Sequence, residues 1–457
     1  MTSKWSTITL NEIVEHQKGF AFKSKDYAES GTPVVRVSNF TQNSIDTSDL
    51  KFVNDEIALK NKTVTLLAGD VVIATVGSWP TNPASVVGKT IRVPHSVDGS
   101  LLNQNAVRLR VKNKSLSDQT FLYYLLKNQD FADYIVSTAQ GSASQASITL
   151  KDIYGYEFQY PNEFEREIIG NHLVSIDKKI LNNQQTNQTL EQMAQAIFKS
   201  WFVDFDPVKA KMNGEQPEGM DASTASLFPE KLVESELGLI PEGWEVMGLP
   251  SGTLFREGPG ILAKDFHEKG VPLIRLAGLK NGVSLLDGCN YLDPEKVDKK
   301  WKHFLLQEGD ILLSSSASLG RVAEVTKQSE NSIAYTGIIG FRPIEGVTTR
   351  KYLKYFIQSR NFQRQIEAFG VGSVLKHFGP THLKKMWILL PPVSIQDKFE
   401  QLVLALDEKI QTGLEQNQSL SNLRDTLLPK LLSGEIELGA TEAMEPSLVS
   451  SPIEQYL

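Results

Sequence analysis

The 457-residue chain has little of what marks a secreted, membrane-bound or metal-binding protein. Its single cysteine, Cys289, excludes an internal disulfide and a cysteine-rich metal site. No apolar run approaches the ~18 residues that cross a bilayer. The first five residues also lack the apolar core of a secretion signal. The sequence therefore predicts a cytoplasmic protein with two or three domains.

Catalytic motifs are missing as well. VGKT at 87–90 could end a phosphate-binding P-loop, but Pro83 occupies the first glycine position and has no N–H to offer phosphate. The seven histidines are scattered, without the spacing of metal ligands. Asp407-Glu408-Lys409 resembles a nuclease acid cluster, yet it lies in a helical seam where charges usually form the solvated edge. We predict no catalytic residue and no metal site, and interpret the chain as a binding protein.

Charge is distributed unevenly along the chain. The net charge of −7 arises in residues 206–245 and in residues 391–457, which are strongly acidic. Residues 246–390 carry 20 basic and 13 acidic side chains, a net charge of +7. Because the local field decides whether phosphate binds, the overall acidity does not exclude a nucleic-acid partner.

The chain repeats itself at an offset of about 230 residues, which indicates a duplicated domain. GTPVVRVSNF at 31–40 matches GVPLIRLAGL at 270–279, and SIDKKI at 175–180 matches ALDEKI at 405–410. Further pairs follow in the same order. Six weak matches in one order are hard to obtain by chance.

Each copy begins with short β-branched runs and a helix, at 121–136 and at 352–367, and ends in a long helical seam. Apolar residues recur at spacings of four and three along these seams, which is typical of coiled coils. The predicted fold is mixed α/β, with two globular domains separated by two long antiparallel coiled-coil helices. The predicted segments are two domains (1–160, 241–390), two helical regions (161–205, 391–435), a linker (206–240) and an acidic tail (436–457).

Polar residues interrupt the helical seams at equivalent positions. Asn187 and Asn417 occupy the same place in the two copies. A buried Asn costs stability but fixes helix register, so we hypothesise that the helices pair antiparallel near these residues. Two unrelated Asn in hydrated helix centres are the alternative.

Several stretches resemble the specificity (S) subunits of type I restriction–modification systems. FKSWFVDFDPVKAKMNG at 198–214 with GLIPEGWEV at 238–246 is similar to the junction of that family, and LRDTLLPKLLSGEIEL at 423–438 to the end of its second helical region. The runs at 19–27 and from Gly141 resemble loops of its target-recognition domains. The resemblance spans nearly the whole chain, although the second copy has FGPTHLKKM where the first has SITLKDI.

The resemblance implies a circularly arranged, pseudo-symmetric monomer that binds double-stranded DNA. Each target-recognition domain would read one half of a bipartite asymmetric sequence, and the helices would set the unspecified spacer. Two methyltransferase subunits and the restriction subunits would be the partners. The chemistry, with S-adenosylmethionine, ATP and Mg²⁺, would belong to those partners, so this chain would hold no cofactor and would not itself be an enzyme.

In the first copy, basic, hydroxyl and amide residues cluster in glycine-containing loops after the predicted strands. Such groups hydrogen-bond to base edges or phosphate. A solvated loop with its Phe side chains in the core, and an ion pair for the arginine, are the alternatives. The candidate contacts are Lys18, Phe20, Phe22, Lys23, Ser24, Lys25, Arg36, Ser38, Asn39, Thr75, Gly77, Ser78, Trp79, Ser142, Ser144 and Gln145.

The second copy offers different side chains at matching positions. Gln145 of the first copy suits adenine, whereas Lys376 of the second suits guanine, so the two halves should read different bases. A plain surface loop remains the alternative. The candidates here are Lys264, Arg275, Ser315, Ser316, Ser318, Arg321, Ser373, Lys376 and His377.

The helices carry more apolar residues than one two-stranded seam can bury. We expect this surplus to dock methyltransferase subunits, with packing against the chain's own globular domains as the alternative. The residues are Phe198, Trp201, Phe202, Leu427, Leu428, Leu431 and Leu432.

Two other functions remain open from the sequence. One is a nuclease or methyltransferase of unfamiliar type, which would need a site that no motif provides. The other is a coiled-coil adaptor that joins two proteins. Specific DNA binding would weaken steeply with added salt, and binding by an adaptor would not.

Overall fold

The computed structural model describes residues 5–41, 43–79, 86–142, 145–280, 284–315, 319–369, 378–436 and 438. The chain forms two compact units. The first combines residues 1–181 with 417–457, and the second contains residues 182–416. Within the described ranges, no helix is long and apolar enough to cross a membrane, and no group of His, Cys, Asp and Glu is placed to hold a metal ion.

The first copy of the repeat has thirteen described strands and six helices. The strands are β1 Ser6–Thr9, β2 Val14–Lys18, β3 Tyr27–Ala28, β4 Thr32–Val35, β5 Lys51–Val53, β6 Val71–Ala74, β7 Val76–Gly77, β8 Thr90–Arg92, β9 Leu101–Leu102, β10 Ala106–Val111, β11 Gln140–Ser142, β12 Gln145–Ser147 and β13 Glu157–Tyr160. The helices are α1 Leu10–Ile13, α2 Asp55–Lys60, α3 Leu116–Lys127, α4 Gln129–Ser137, α5 Leu150–Tyr154 and α6 Glu163–Phe202.

The described part of the second copy, with the segment that precedes it, has eleven strands and seven helices. The strands are β14 Leu232–Ser235, β15 Gly238–Pro241, β16 Glu245–Gly248, β17 Thr253–Glu257, β18 Val271–Ile274, β19 Asn290–Leu292, β20 Ile311–Ser314, β21 Val322–Glu324, β22 Ile333–Ala334, β23 Ile338–Pro343 and β24 Trp387–Leu390. The helices are α7 Asp206–Met212, α8 Ala222–Ala225, α9 Pro294–Lys296, α10 Arg350–Gln358, α11 Arg360–Ala368, α12 Pro380–Leu383 and α13 Val393–Leu432.

The two copies share one sheet topology. A four-stranded antiparallel sheet has the order β2-β10-β6-β8 in the first and β17-β23-β20-β21 in the second. A second sheet in each contains one parallel pair, β4 with β9 and β18 with β22. The predicted fold class, mixed α/β with a tandem repeat and two long helices, is confirmed.

Each globular domain has two helices where the sequence predicted one. α3 ends at Lys127 and α4 begins at Gln129, while α10 and α11 are separated by Ser359. Both Asn128 and Ser359 have extended backbone angles, and the Ser359 hydroxyl accepts the N–H of Phe362. The Ser359 side chain thus caps a free N–H group at the start of α11, whereas the Asn128 side chain makes no cap hydrogen bond at the start of α4.

Residues 206–240 are folded, so their interpretation as linker with poor core material is wrong. Val208 and Phe228 are fully buried in the main core of the second unit. Lys211 extends from α7 and donates a hydrogen bond to the carbonyl oxygen of Phe228. The segment contains several prolines and glycines, yet several of its apolar residues are part of the core.

The long helices α6 and α13 contact each other in both units and are antiparallel in the second, as predicted. In the second unit, the ring of Phe198 lies 5.7 Å from that of Phe399, and Asn187 donates a 3.0 Å hydrogen bond to the carbonyl of Ile410. In the first unit, Arg424 contacts Asp177 at 2.9 Å. Within the second unit, contact positions therefore descend along α13 as they rise along α6. The role of Asn187 and Asn417 in setting register remains a prediction.

The aromatic and leucine-rich ends of these helices belong to the cores of the globular domains. Phe198, Trp201 and Phe202 are buried in the second unit. Leu428, Leu431 and Leu432 are buried in the first, with Leu427 packed against them. The expectation that these residues form an exposed docking face is therefore wrong. The chain's own domains cover these side chains, which is the alternative given above.

A buried charge cluster joins α10 to the long helices in the second unit. The Asp407 carboxylate lies 2.5 Å from Lys351 Nζ and 3.3 Å from Lys354 Nζ, and it accepts the Tyr355 hydroxyl at 3.3 Å. Glu324 contacts Lys351 at 2.6 Å. The side chain of Asp407 is only 12% exposed, so its assignment to a solvated edge is wrong.

The pKa of Asp407 reflects two opposing effects. Burial alone would raise it, but the charges of Lys354 and Lys351 outweigh burial and lower the pKa below its ordinary value. A carboxyl whose pKa is lower in the folded chain stabilises the fold above its unfolded pKa, near 4. This stabilisation is lost as pH falls from about 4 through the lower, folded pKa.

We expect Asp407→Asn to destabilise the second unit by about 3 kcal/mol at pH 7, because two buried lysines lose a carboxylate. The difference from wild type should narrow as pH falls below about 4, because Asp407 then binds a proton more readily in the unfolded chain than in the folded one. Urea unfolding across this pH range measures both effects. Asp298→Asn is the control, since Asp298 pairs with Lys302 on the surface and should matter little. A pH-independent difference would contradict this account.

Candidate nucleic-acid interface

One turn ties together the loops predicted to contact DNA in the first unit. Asn105 has the left-handed φ of 71°, which turns the chain between β9 and β10. Around this turn, Gln104 N–H donates to the Phe20 carbonyl at 2.9 Å, and Asn103 N–H donates to the Val35 carbonyl at 2.9 Å. Thr75 N–H donates to the Asn105 carbonyl at 2.7 Å. The loops after β2, β4 and β6 therefore meet at residues 103–105, here named the first crossing turn.

A three-stranded sheet connects the fourth predicted loop, which starts at Gly141, to the loop after β6. β7, directly after Thr75, pairs with β12 so that Gly77 lies opposite Ala146, and β12 pairs with β11. Ile148 N–H also donates to the Thr75 carbonyl at 2.9 Å. The structure thereby brings Gln145 and the 75–79 loop onto one small sheet, which was not predicted.

The second unit repeats this arrangement at residues 335–337, the second crossing turn. Gly337 has a φ of 83°, and Ser315 N–H donates to its carbonyl at 2.8 Å. Tyr335 N–H donates to the Ile274 carbonyl at 3.0 Å, as Asn103 does to Val35. The backbone frame is thus shared, whereas the side chains on it differ.

Each crossing turn depends on a glycine where two backbone segments meet. A Cβ at Gly19 would overlap the carbonyl oxygen of Asn103, and one at Gly258 would overlap that of Ala334. Gly19 and Gly258 also donate to the carbonyls of Ala106 and Ile338, at 3.0 and 2.9 Å. Glycine is required here because only hydrogen fits the space between the strands.

Most of the first-copy candidates reach solvent. Lys18, Lys23, Ser24, Lys25, Ser38 and Gln145 are exposed, and Phe20 is 42% exposed with its ring 5.0 Å from that of Phe22. Thr75, Gly77, Ser78 and Trp79 are half-buried. Ser144 and the side chain of Ser142 lie outside the described residues.

Three first-copy candidates have structural roles instead. Phe22 is buried in the core that surrounds β4. Asn39 is buried, where its amide accepts the Arg36 N–H and donates to the Asp49 carbonyl. The Arg36 guanidinium contacts the Asp49 carboxylate at 2.9 Å, which is the ion pair weighed as an alternative. The assignment of Phe22 and Asn39 as DNA contacts is wrong because both side chains are shielded from solvent. A DNA contact by Arg36 stays a prediction.

The second-copy candidates also include residues that reach solvent and one that is buried. Lys264 is exposed, and Arg275 and Arg321 are half-buried. Ser315 is 2% exposed, so its hydroxyl cannot face a groove and that assignment is wrong. Ser316, Ser318, Ser373, Lys376 and His377 lie outside the described residues.

Sequence reasoning missed the polar side chains of the crossing turns. Gln104 and Asn105 are exposed on the first, and Thr336 is exposed on the second. Three amides in a row, Asn103-Gln104-Asn105, directly follow the apolar residues of β9. That contrast was a signal that could have identified the first turn.

The I-T-x-x-D motif after the β11–β12 hairpin caps a helix. Thr149 and Asp152 form a reciprocal capping box at the start of α5, with Thr149 N–H donating to the carboxylate at 2.8 Å. In the second copy, Gly379 N–H donates to His382 Nδ1 at 3.2 Å at the start of α12. Different residues therefore make the same helix start, which explains how FGPTHLKKM can replace SITLKDI.

Both copies of the repeat match a known protein family. The family described as "Type I restriction modification DNA specificity domain" matches residues 2–192 and 241–421. The chain belongs to the type I restriction–modification DNA specificity family. This confirms the predicted specificity subunit, and with it a DNA-recognition family in place of a catalytic one.

Relatives in this specificity family come from Haemophilus influenzae and Methanocaldococcus jannaschii. The chain is 25% identical over 391 residues to the "Type I restriction enzyme HindI specificity subunit" of Haemophilus influenzae, covering 76% of this chain and 84% of the relative. It is 27% identical over 326 residues to the MjaIX specificity subunit of Methanocaldococcus jannaschii, covering 70% and 69%. A crystal structure of an S subunit from M. genitalium aligns with a TM-score of 0.49 and 16% identity, covering 94% of this chain and 96% of that one.

We expect Gly258→Ala to disrupt the second crossing turn. Its methyl group would displace the strand that carries Ala334 and Tyr335, which costs about 1–3 kcal/mol of unfolding free energy. Gly260→Ala is the matched control, because a Cβ at Gly260 has no heavy atom within 4 Å. Chemical denaturation of the two variants measures the difference. Equal stability of the two would show that the close backbone approach is not required.

Proposed function

We propose that the chain is the DNA-reading subunit of a type I restriction–modification complex and that it recognises a bipartite, asymmetric duplex. Each unit reads one half, and the paired helices set the unspecified spacer. The observation that carries this proposal is the pair of crossing turns. Each donates a hydrogen bond to the last residue of β4 or β18 and accepts one from the residue after β6 or β20, yet one presents Asn103-Gln104-Asn105 and the other Tyr335-Thr336-Gly337.

The chemistry of the two turns supports different half-sites. Exposed amides such as Gln104 and Asn105 can donate to and accept from adenine in the major groove. The second turn has a hydroxyl on Thr336 and lies in a segment with a net charge of +7, which favours contacts with phosphate. Two frames with different side chains are suited to an asymmetric target.

Selection of full-length chain on randomised DNA duplexes tests the proposal. We expect enrichment of two defined blocks separated by a gap of fixed length. One continuous block, or no enrichment, would contradict it. Binding should also fall steeply between about 50 and 200 mM salt through counterion release, which separates DNA reading from an adaptor function.

Within the enriched sequence, we expect Gln104→Ala to relax one base position in one block only. Each good amide–base pair contributes ~1–3 kcal/mol of discrimination, so preference at that position should fall by about tenfold. Gln129→Ala is the control, since Gln129 is exposed on α4 and bonds to Asp133. Repeating the selection with both variants gives the result. An equal loss in both blocks would refute this role for Gln104.

We further propose that methyltransferase subunits dock on the long helices and that restriction subunits join the same cytoplasmic complex. S-adenosylmethionine, ATP and Mg²⁺ would be bound by those partners. The supporting observation is apolar exposure on the helices. Leu181 and Leu423 in the first unit, and Met193 and Leu402 in the second, are 42–48% exposed. These side chains replace the buried residues considered earlier as the docking face.

Leu402→Glu should reduce co-purification with the methyltransferase subunit at least tenfold, because a carboxylate would be desolvated at the interface. Its thermal unfolding should match wild type, since the side chain is on the surface. Gln401→Glu adds the same charge one position away and serves as the control. Unchanged co-purification of the Leu402 variant would place the interface elsewhere.

A further inference from the structure

Two arginines occupy the same backbone position in the two copies but meet different surroundings. Arg36 follows β4 and Arg275 follows β18, and each precedes a short 3₁₀ helix. Their backbone angles agree closely, with φ and ψ of −112° and 158° for Arg36 and −107° and 162° for Arg275. The backbone therefore directs both side chains in the same way, and their partners account for any difference in role.

Arg36 is neutralised within the first unit. Its Nη2 donates to the carboxylate of Asp49 at 2.9 Å and to the carbonyl of the same residue at 2.8 Å. The hydrogen bond from Arg36, with the charge of Lys51, lowers the pKa of Asp49. Arg36 Nε is buried, so it faces no ligand from outside.

The second copy has no acid at the corresponding place. Val34 pairs with Lys51 across the sheet, and Leu273 pairs in the same way with Asn290. Two residues before Lys51 stands Asp49, whereas two residues before Asn290 stands Gly288. Arg275 instead donates one 3.3 Å hydrogen bond to the neutral amide of Asn290. Among the described residues, no carboxylate lies within 4.0 Å of its guanidinium.

Aromatic rings hold the Arg275 side chain in place. Its guanidinium carbon lies 4.1 Å from the centroid of the Tyr335 ring and 5.6 Å from that of Phe266. Tyr335 is itself fixed, because its hydroxyl donates to the Ile261 carbonyl at 3.2 Å and its N–H donates to Ile274. Stacking occupies the face of a guanidinium and leaves the donors at its edge available. Nε and Nη2 of Arg275 make no hydrogen bond within the described part of the chain.

We infer that Arg275, stacked on Tyr335, binds the paired acceptors of a guanine in the half-site of the second unit, and that Arg36 has no such role. This inference rests on the proposed function and deepens it. The free, parallel donors of this half-buried guanidinium match a pair of acceptors, and O6 and N7 of guanine are the major-groove atoms that fit this fork. DNA phosphate offers similar acceptors, and the test separates the two.

The experiment repeats the duplex selection with full-length wild type, Arg275→Ala, Arg275→Lys and Arg360→Ala. Arg360 pairs with Glu367 on the surface, so its loss changes charge equally without touching the turn. We expect Arg275→Ala to lower the preference for one guanine by roughly tenfold to a hundredfold, in one block only. Lysine keeps the charge but not the fork, so Arg275→Lys should recover little of that preference.

A chemical substitution in the DNA then identifies the acceptor. Replacing that guanine with 7-deazaguanine removes N7, so wild type should lose affinity and Arg275→Ala should be indifferent to the change. A uniform loss across all sequences with a shallower salt dependence would assign Arg275 to phosphate and overturn the inference. An unchanged motif in folded Arg275→Ala would overturn it as well. If wild type selects no two-block motif, the proposed function fails first, which is a distinct result.

Discussion

A hydrogen bond between a tyrosine and an aspartate anchors each globular domain to a long helix. Tyr124 donates to Asp177 at 2.7 Å in the first unit, and Tyr355 donates to Asp407 at 3.3 Å in the second. A buried carboxylate without a cation would be strongly destabilising, so each contact needs a positive partner. Arg424 of α13 provides it in the first unit, and α10 provides two lysines in the second. A neutralised tyrosine–aspartate contact thus joins each domain to a long helix, beside the apolar core that they share.

The two copies of the repeat share the same backbone features but carry different side chains on them. The glycines at close backbone approaches, the left-handed turns and the helix starts recur in both copies. At Thr149 and Gly379 different side chains even produce the same cap. By contrast, the residues on the crossing turns and the partners of Arg36 and Arg275 differ. Backbone geometry constrains a residue more tightly than solvent exposure does, so exposed positions on the crossing turns were free to diverge.

The sequence predicted what local periodicity and self-similarity can reveal. The helical regions 161–205 and 391–435 enclose α6 and α13 with only two or three extra residues at each end. The predictions that failed concern contacts between residues that are far apart in the sequence. The sequence predicted that Phe228 lies in a linker and that Trp201 lies on an exposed helix face. Both are buried in a domain core. The ion pair of Arg36 required Asp49 from a separate loop, and the position of Gln104 on the first crossing turn required backbone contacts that no spacing encodes.

The boundaries of the folded units therefore differ from the boundaries of the repeat. Each unit takes the start of one long helix and the end of the other, so neither copy of the sequence contains a complete core. The second unit is continuous, from residue 182 to 416, whereas the first joins residues 1–181 to residues after 416. Trp5 packs against Gly434, with a Cβ there only 3.2 Å from the ring. Closing so long a loop costs entropy and slows folding. During synthesis the second unit has all its residues first, and the core of the first unit is completed only when the end of α13 arrives.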